Sequence, residues 1–483
     1  MWVRHLLIAF LYLALFLAYY FWLKVKVSHH GQFVFLQRGI SQKFLLTAGI
    51  HLGVVVFFYR KLWRFKLKEF FFEPLSPYPL ALARMTLFGT IATHIIFYAP
   101  QNWAPLAALP ESSRQALPLV GWMIDIMPIS PAVYNAMLIL GGVFGIMAAA
   151  GLFSRFSMLL MIPITFYVFG VPQFFGKLSH YQFLLWAAFL MAFSPAGEHW
   201  SLDAFFRRLR GIKIPDKPSF NYALPIKLIM LTLAGIYFFS GFRKLYEIGF
   251  FWALSDNPVN LLRTEWLEQF NYLPAIRLDR WPVLCSIGAL GVIFFEIAYP
   301  FLLLGKRSRI FTAIDVMIFH TLNGYFLKID FVYLKTAHLS FFNIAYWRKW
   351  LRSRSHPIWS WLILLIAVQT LGYFTGALLL LPIVFFLAAF DLLVRFIPKR
   401  RRIAMMWKVR ALLPKPKGAK NQVIAKRKWL RINLITGLLL IALNWTCGAF
   451  GIHSWPFSAY PCLLYTSDAA DDMQCVDLGG RRI

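Results

Sequence analysis

The chain is poor in acidic residues, in charge of any kind and in cysteine. Asp and Glu together number 20, and charged residues make up 14% of the sequence, whereas soluble domains carry about 25%. A soluble fold of 483 residues would need more polar surface to cover its core. The four cysteines form no Cys-x-x-Cys pair, and no zinc motif, phosphate-binding glycine loop or serine nucleophile elbow is present. These absences argue against a metal centre, a disulfide framework and thiol chemistry.

Long apolar runs fill the sequence instead. Hydrophobic residues make up 59% of the chain, and they recur in segments of about 17–25 residues, the length that crosses a bilayer. We therefore predict an all-α, polytopic transmembrane bundle of about 11–13 helices. The predicted spans are 6–23, 44–59, 80–98, 133–153, 157–175, 180–195, 224–242, 281–304, 311–327, 331–346, a two-helix hairpin within 358–393, and 433–450.

Lys and Arg give the chain a formal net charge of +30. They lie between the apolar spans, which argues against nucleic-acid binding and indicates cytoplasmic loops under the positive-inside rule. With the spans above, the N-terminus is expected in the cytoplasm and residues from 451 onward outside. Membrane lipid is an expected partner, because basic loops attract anionic headgroups. The basic loops are 60–68, 207–217, 306–309, 348–354 and 395–431, the last with 14 Lys or Arg and no acid.

Residues 462–483 differ in composition from the sequence before them. They hold four Asp, whereas the preceding 60 residues hold no acid, and they resemble translated sequencing-adapter read-through. A short native polar tail is the alternative. We therefore divide the chain into an N-terminal two-helix membrane segment (1–70), a membrane domain (71–350), C-terminal membrane helices (351–461) and a non-native tail (462–483).

Ionisable and amide side chains inside the predicted spans are functional candidates, because a charged one costs about 2.5–3.5 kcal/mol to insert. Hydrogen bonding within the bundle is the structural alternative. Arg84 lies near a span end, from which it could also reach the headgroups, and His94 is expected to be structural. Glu296 should be protonated or paired with a His, Arg or Lys of a neighbouring helix. His320 and Asn323, three residues apart, should share one helix face.

Three further residues lie at the predicted extracytoplasmic boundary. His180 begins the sixth span, and Arg243 and Lys244 end the seventh. A lysine at the end of a span commonly extends to the headgroups; a functional role for an ionisable group at the membrane is the alternative. Arg243 would disfavour the protonated form of its neighbour if both side chains faced inward.

The order and spacing of these residues resemble the HTTM (horizontally transferred transmembrane) domain family, which includes vitamin K-dependent gamma-carboxylase. The resemblance extends from about Pro77 to Trp350. The order of the blocks and their positions relative to the spans together carry the resemblance. The blocks are Ala81-Leu82-Ala83-Arg84; Ser179-His180-Tyr181 with Trp200-Ser201-Leu202-Asp203; Gly241-Phe242-Arg243-Lys244-Leu245 with Trp252; and Phe295-Glu296 followed by Phe319-His320 and Asn323.

This resemblance implies a chemistry. In the family enzyme a lysine deprotonates a reduced quinone, and oxygen converts the quinol anion into a stronger base. That base removes a proton from the gamma carbon of a peptide glutamate, to which carbon dioxide then adds. Lys244 matches the lysine, His180 a histidine linked to carboxylation, and His320 a histidine of a buried helix; no metal is implied.

The resemblance thus predicts a carboxylase (a carbon-carbon lyase) in a bacterial cytoplasmic membrane, acting on an extracytoplasmic peptide or protein. A non-enzymatic transporter, lipid-binding protein or membrane assembly protein on the same scaffold is the alternative.

Overall fold

Helices make up nearly all of the regular structure in the described part of the chain. The computed structural model describes residues 60–115, 127–175, 181–209, 217–268, 272–329, 331–342 and 419–452, with a few isolated positions besides. Within these ranges no strand forms, and one antiparallel bridge joins Leu75 to Ser219. The predicted all-α architecture is therefore confirmed. The α-helices are α1 (Arg60–Phe72), α2 (Pro77–Thr93), α3 (Pro131–Ala150), α4 (Ser154–Gly170), α5 (Gln182–Ala192), α6 (Leu202–Leu209), α7 (Phe220–Arg243), α8 (Phe251–Leu254), α9 (Asn257–Glu268), α10 (Pro282–Leu302), α11 (Lys306–Phe326), α12 (Val332–His338) and α13 (Ala419–Phe450), with a short helical turn (Ala99–Asn102) after α2.

The junction of α3 and α4 shows how local and distant residues set helix ends. Gly151 ends α3 in a left-handed conformation with φ of 72°, which glycine adopts without a steric cost. Asp203, distant in sequence, accepts hydrogen bonds from the amides of Phe153 (2.9 Å) and Ser154 (2.7 Å) and so caps α4. Ser201 caps α6 by accepting a hydrogen bond from a first-turn amide at 2.9 Å.

The chain divides into two compact units, and each is described by itself. The main unit comprises Lys68–Ile236 and Phe301–Ala459. We call the other unit the 237–300 unit, after its segment Tyr237–Pro300. That segment contains the end of α7, all of α8 and α9, and most of α10. In the main unit α2 packs against α3 and α12, α4 packs against α3 and α5, and α13 packs against α5. In the 237–300 unit α8 packs against α9.

Small residues allow α2 and α3 to pack closely. A Cβ atom at Gly145 would lie 2.9 Å from the Cβ of Ala92, and one at Gly141 would lie 2.9 Å from the side chain of Ile95. These two glycines are four residues apart and face α2 and the π-helical turn His94–Tyr98 that follows it, so they allow a close approach as small residues do in membrane bundles.

Six helices in the described residues are long and apolar enough to cross a membrane, which is consistent with the predicted polytopic bundle. The predicted spans 6–23, 44–59 and 358–393 and the tail 462–483 lie outside the described residues. The candidate spans are Pro77–Asn102, Pro131–Ala150, Ser154–Phe175, Phe220–Ile248, Pro282–Leu302 and Lys428–Phe450.

Two predicted spans contain helices shorter than expected. In 180–195 the helix α5 has 11 residues, about 16 Å at 1.5 Å per residue, against a hydrocarbon core of about 30 Å. In 331–346 the helix α12 has 7 residues. Most side chains of both helices are buried, and a run buried in protein resembles one facing lipid in sequence. Because orientation depends on the number of crossings, the predicted membrane orientation stays a prediction.

Candidate functional site

Lys244 opens an irregular turn at the end of α7. The turn Lys244–Ile248 is π-helical, and the amide of Gly249 donates to the carbonyl oxygen of Lys244 at 2.9 Å. Gly249 has φ of 75°, a conformation that favours glycine. Turns of this kind are frequent at functional sites, so the backbone itself marks Lys244 as a candidate site residue.

The ammonium group of Lys244 binds the carboxylate of Glu296 in α10. Its Nζ lies 2.8 Å from Oε1 and 2.7 Å from Oε2, and it lies 3.2 Å from Oγ of Ser240. The side chains of Lys244 and Glu296 are 0% and 1% exposed. Lys244 is thus the partner that Glu296 requires, and its burial excludes a side chain extended to the headgroups.

Gly241 explains how α7 and α10 come close enough for this ion pair. A Cβ atom at that position would lie 2.8 Å from the Cβ of Glu296 and 3.1 Å from Cγ1 of Ile297. These distances are too short for ordinary packing, so a larger residue would displace α10 or its side chains. Two residues of the Gly241–Leu245 block therefore contribute to the same ion pair: Gly241 lets α10 come close, and Lys244 binds Glu296.

An apolar cluster lies next to the ion pair. The ring of Trp252 lies 5.1 Å from Nζ of Lys244, within the range of a cation–π contact. Charge interactions are stronger in such surroundings than in water, because the local dielectric constant is low. The site can therefore hold a proton between an amine and a carboxylate beside an apolar surface. The buried members of the cluster are Leu245, Phe250, Trp252, Ala253, Ala289 and Ile293.

Arg243 does not share the environment of Lys244. Its Nη2 pairs with the carboxylate of Glu247 in the following turn, and the two side chains are 15% and 25% exposed. The guanidinium charge is thus balanced by its own partner, and the expected destabilisation of a protonated Lys244 by Arg243 has no support in this geometry.

His320 is one of several buried polar side chains of α11 and α12 in the main unit. It is fully buried in α11, and its ring lies 5.3 Å from that of Phe331. Asn323 of the same helix has a buried Nδ2 without a hydrogen-bond partner among the described residues. Lys335 and His338 of α12 are also buried, and Nδ1 of His338 donates to a carbonyl oxygen of its own helix at 2.6 Å.

Arg84 and His94 hold backbone groups in the main unit. Arg84 is fully buried, and its Nη1 and Nη2 donate to the carbonyl oxygens of Ala196 (3.0 Å) and Trp200 (2.5 Å). It therefore attaches the segment between α5 and α6 to α2 and does not reach the headgroups. Nδ1 of His94 donates to the carbonyl oxygen of Thr90 at 2.9 Å.

Sequence reasoning misses one charge cluster in the main unit, which we call the Glu73 cluster (Glu73, Lys227, Lys306 and Arg309). Oε2 of Glu73 binds Lys227 (3.4 Å) and Arg309 (2.8 Å), and Oε1 lies 3.1 Å from Nζ of Lys306. Burial raises the pKa of the Glu73 carboxyl, but Arg309, Lys227 and Lys306 outweigh burial and lower that pKa overall. Lys227 lies inside the predicted span 224–242, so its position in an apolar run was the signal that could have found it.

The predicted site residues that the structure describes fall into two groups, one in each unit. His180 lies outside the described residues, and the catalytic roles of the other residues stay predictions. Within the described ranges, no group of three or more His, Cys, Asp or Glu side chains could hold a metal ion. The 237–300 unit contains Arg243, Lys244 and Glu296; the main unit contains Arg84, His94, His320 and Asn323.

Long apolar helices with charged side chains buried among them define an integral membrane protein built as a helical bundle. A family model described as the HTTM domain matches residues 72–347. Because that match covers more than half of the sequence, the chain belongs to the HTTM domain family. No curated protein and no solved structure matches the chain.

Proposed function

We propose that this HTTM protein is a quinol-dependent, carboxylase-like enzyme in which Lys244 is the base that takes a proton from the reduced quinone. The observation that carries the proposal is the contact of Lys244 with both oxygens of Glu296, at 2.8 and 2.7 Å. Burying an ion pair is costly, and ionisable residues inside membrane proteins commonly serve function. The substrate is a glutamyl residue of a peptide or protein at the outer face of a bacterial cytoplasmic membrane.

Glu296 provides an acceptor for the proton that Lys244 must lose before it can act as a base. An ammonium group cannot accept a proton, so Lys244 must first lose one. Both carboxylate oxygens of Glu296 contact Nζ, and transfer of one proton leaves a neutral amine beside a neutral acid. Oγ of Ser240, 3.2 Å from Nζ, positions the amine. The neutral amine can then accept the proton of an acidic hydroxyl group.

The surrounding side chains fit a hydrophobic quinol. Phe250, Trp252 and Ile293 form a buried apolar surface, and the Lys244–Glu296 pair provides the few polar groups that orient a ligand in such a site. With oxygen and carbon dioxide, a bound reduced quinone supplies the strong base that removes a proton from the gamma carbon of glutamate. The part of this chain is to accept the quinol proton at Nζ of Lys244 and to keep water away from it.

A carboxylation assay on the purified full chain tests this proposal. Labelled bicarbonate, a reduced menaquinone or vitamin K, oxygen and a glutamyl peptide are supplied, and incorporation of the label is measured. Lys244→Met is expected to lower the rate at least about 100-fold, because a general base contributes about 10²–10⁴-fold. Arg243→Gln is the matched control: it removes the neighbouring charge, which pairs with Glu247, and it should keep most of the activity.

Loss of the base must be separated from loss of the fold. The double variant Lys244→Met/Glu296→Leu removes both charges, so no unpaired charge remains buried. It should fold and remain inactive. Wild-type activity in Lys244→Met would refute the role of Lys244 as the base. A wild-type chain that incorporates no label would favour a transport, lipid-binding or assembly function.

A further inference from the structure

A cavity of about 230 Å³ lies in the main unit, where the segment after α5 meets the first turns of α4 and α7 and part of α13. Neither Lys244 nor His320 is among the described residues that line it. Its walls are largely apolar, and the rings of Phe193 and Trp429 stack there at 5.8 Å. The charged and amide side chains in its lining are Arg155, Glu198, Lys217, Asn221 and Asn433.

Two of these polar groups have hydrogen-bonding atoms without a partner among the described residues. The guanidinium of Arg155 lies 4.3 Å from the ring centre of Trp429, and its buried Nε has no hydrogen-bond partner in the described part of the chain. Asn433 is 1% exposed; its Nδ2 donates to a backbone carbonyl at 2.5 Å, whereas its Oδ1 accepts no hydrogen bond from any residue that the structure describes. Buried polar atoms are nearly always satisfied, so one free donor and one free acceptor at the same cavity indicate a ligand with both functions.

The cavity lies at the level where two candidate spans begin and where the basic part of α13 meets its apolar part. Arg155 and Asn221 are each the second residue of a candidate span, Trp429 lies between Lys428 and Arg431 of α13, and all three line the cavity. Basic and aromatic side chains at span ends occupy the region of the lipid headgroups. A ligand in this cavity would therefore meet the headgroup layer of the bilayer.

We propose that this cavity binds the headgroup of an anionic phospholipid that also carries a hydroxyl group. Arg155 and Lys217 hold the phosphate, and Oδ1 of Asn433 accepts a hydrogen bond from the hydroxyl. Glu198 also lines the cavity, but its Oε2 accepts a hydrogen bond from Tyr222 at 2.7 Å. Two cations thus face one carboxylate in the lining, and this net positive charge favours an anion.

The apolar walls distinguish a lipid from free phosphate. A phosphate ion would use Arg155 and Lys217 but would leave the stacked rings of Phe193 and Trp429 without a ligand. A glycerophospholipid places its glycerol and the start of its acyl chains against such a surface, and burial of that apolar area adds to the affinity.

Ligand-dependent thermal unfolding of the full chain in nonionic detergent tests the proposal. Dihexanoyl phosphatidylglycerol is titrated, because a ligand that binds only the folded state raises the unfolding midpoint. Dihexanoyl phosphatidylcholine and inorganic phosphate are titrated in parallel. We expect a saturable rise with phosphatidylglycerol and little change with the other two. An equal rise with phosphatidylcholine, or with inorganic phosphate, would overturn the proposal.

Matched variants assign the effect to the cavity. Arg155→Gln is expected to weaken the apparent affinity for phosphatidylglycerol at least about tenfold, the loss typical of a charge-assisted hydrogen bond. Arg208→Gln removes the same charge from an exposed position outside the cavity lining, and it should change the affinity less than about twofold. Equal losses in the two variants would indicate a diffuse electrostatic attraction and would overturn the proposed site.

A cavity-filling variant keeps the test decisive if Arg155→Gln does not fold. Asn221→Trp places a large side chain in the lining and leaves both cations in place. It should abolish the response to phosphatidylglycerol while far-ultraviolet circular dichroism remains that of the wild type. A folded Asn221→Trp variant with the full wild-type response would overturn the proposal.

Discussion

The Lys244–Glu296 pair and the Glu73 cluster both bury charge, but they do so in different ways. In the pair, one cation meets one carboxylate, and the side chains are 0% and 1% exposed. In the cluster, three cations share the carboxylate of Glu73, whose side chain is 16% exposed, while that of Lys306 is 59% exposed. Glu296 lies inside a candidate span, whereas Glu73 lies in the connection between α1 and α2.

The comparison shows how exposure and charge balance decide what a buried cluster can do. A balanced pair out of contact with solvent depends on both members, because removing one leaves a charge in an apolar medium. The same isolation allows a proton to move from Nζ of Lys244 to Glu296 without creating net charge. A carboxylate with several cations and some solvent contact stays paired when one cation is lost. The first arrangement suits proton transfer and the second suits attachment of helices.

The largest expected effect is that of breaking the balanced pair. Lys244→Met should lower the free energy of unfolding by about 3–5 kcal/mol, because it leaves Glu296 buried without its cation. The double variant Lys244→Met/Glu296→Leu should recover most of that loss. Denaturation in detergent, followed by circular dichroism, measures both. A single variant as stable as the wild type would show that the pair is not buried as described.

A smaller effect is expected at the Glu73 cluster, and it should depend on pH. Glu73→Gln removes the charge that accepts hydrogen bonds from Arg309 and Lys227, which should cost about 1–2 kcal/mol at neutral pH because the carboxylate is partly exposed. Because the pKa of Glu73 is lowered from its ordinary 4.5 in the folded protein, its contribution is complete above 4.5 and is lost as the pH falls through the lower folded-state pKa.

Unfolding midpoints of the wild type and Glu73→Gln, measured between about pH 7 and pH 3, check this dependence. The two curves should be separate at neutral pH and should converge in acid. A separation that stays constant over the whole range would contradict the ionised, paired state of Glu73.

The smallest effect is expected for Lys306, the most exposed cation of the cluster. Lys306→Ala should change the free energy of unfolding by less than about 1 kcal/mol, because exposed ion pairs contribute little. Raising the salt concentration from about 0.05 M to about 1 M should remove the difference. Arg309→Ala, which removes a 7% exposed partner of the same carboxylate, is the matched comparison and should be the more destabilising of the two.

Glu296 and Lys227 show how much of the charged interior could be predicted from sequence. A carboxylate in an apolar run must be neutral or paired, so the need of Glu296 for a partner followed from its own position. The identity of that partner did not follow from the sequence. Lys244 lies 52 residues away, and other His, Arg and Lys residues also lie in or beside predicted spans. Lys227 gave the same kind of signal, because it lies inside a predicted span, but its partner Glu73 lies outside the predicted spans.

The sequence by itself determined that this is a helical membrane protein, because apolar runs of bilayer length must satisfy their backbone hydrogen bonds within each segment. Only the tertiary structure decided that α5 and α12 are short buried helices, since a run that faces protein and a run that faces lipid have the same composition. Only the tertiary structure brought Lys244 to Glu296, because the close approach of α10 to Gly241 is a property of two packed helices and not of either sequence segment.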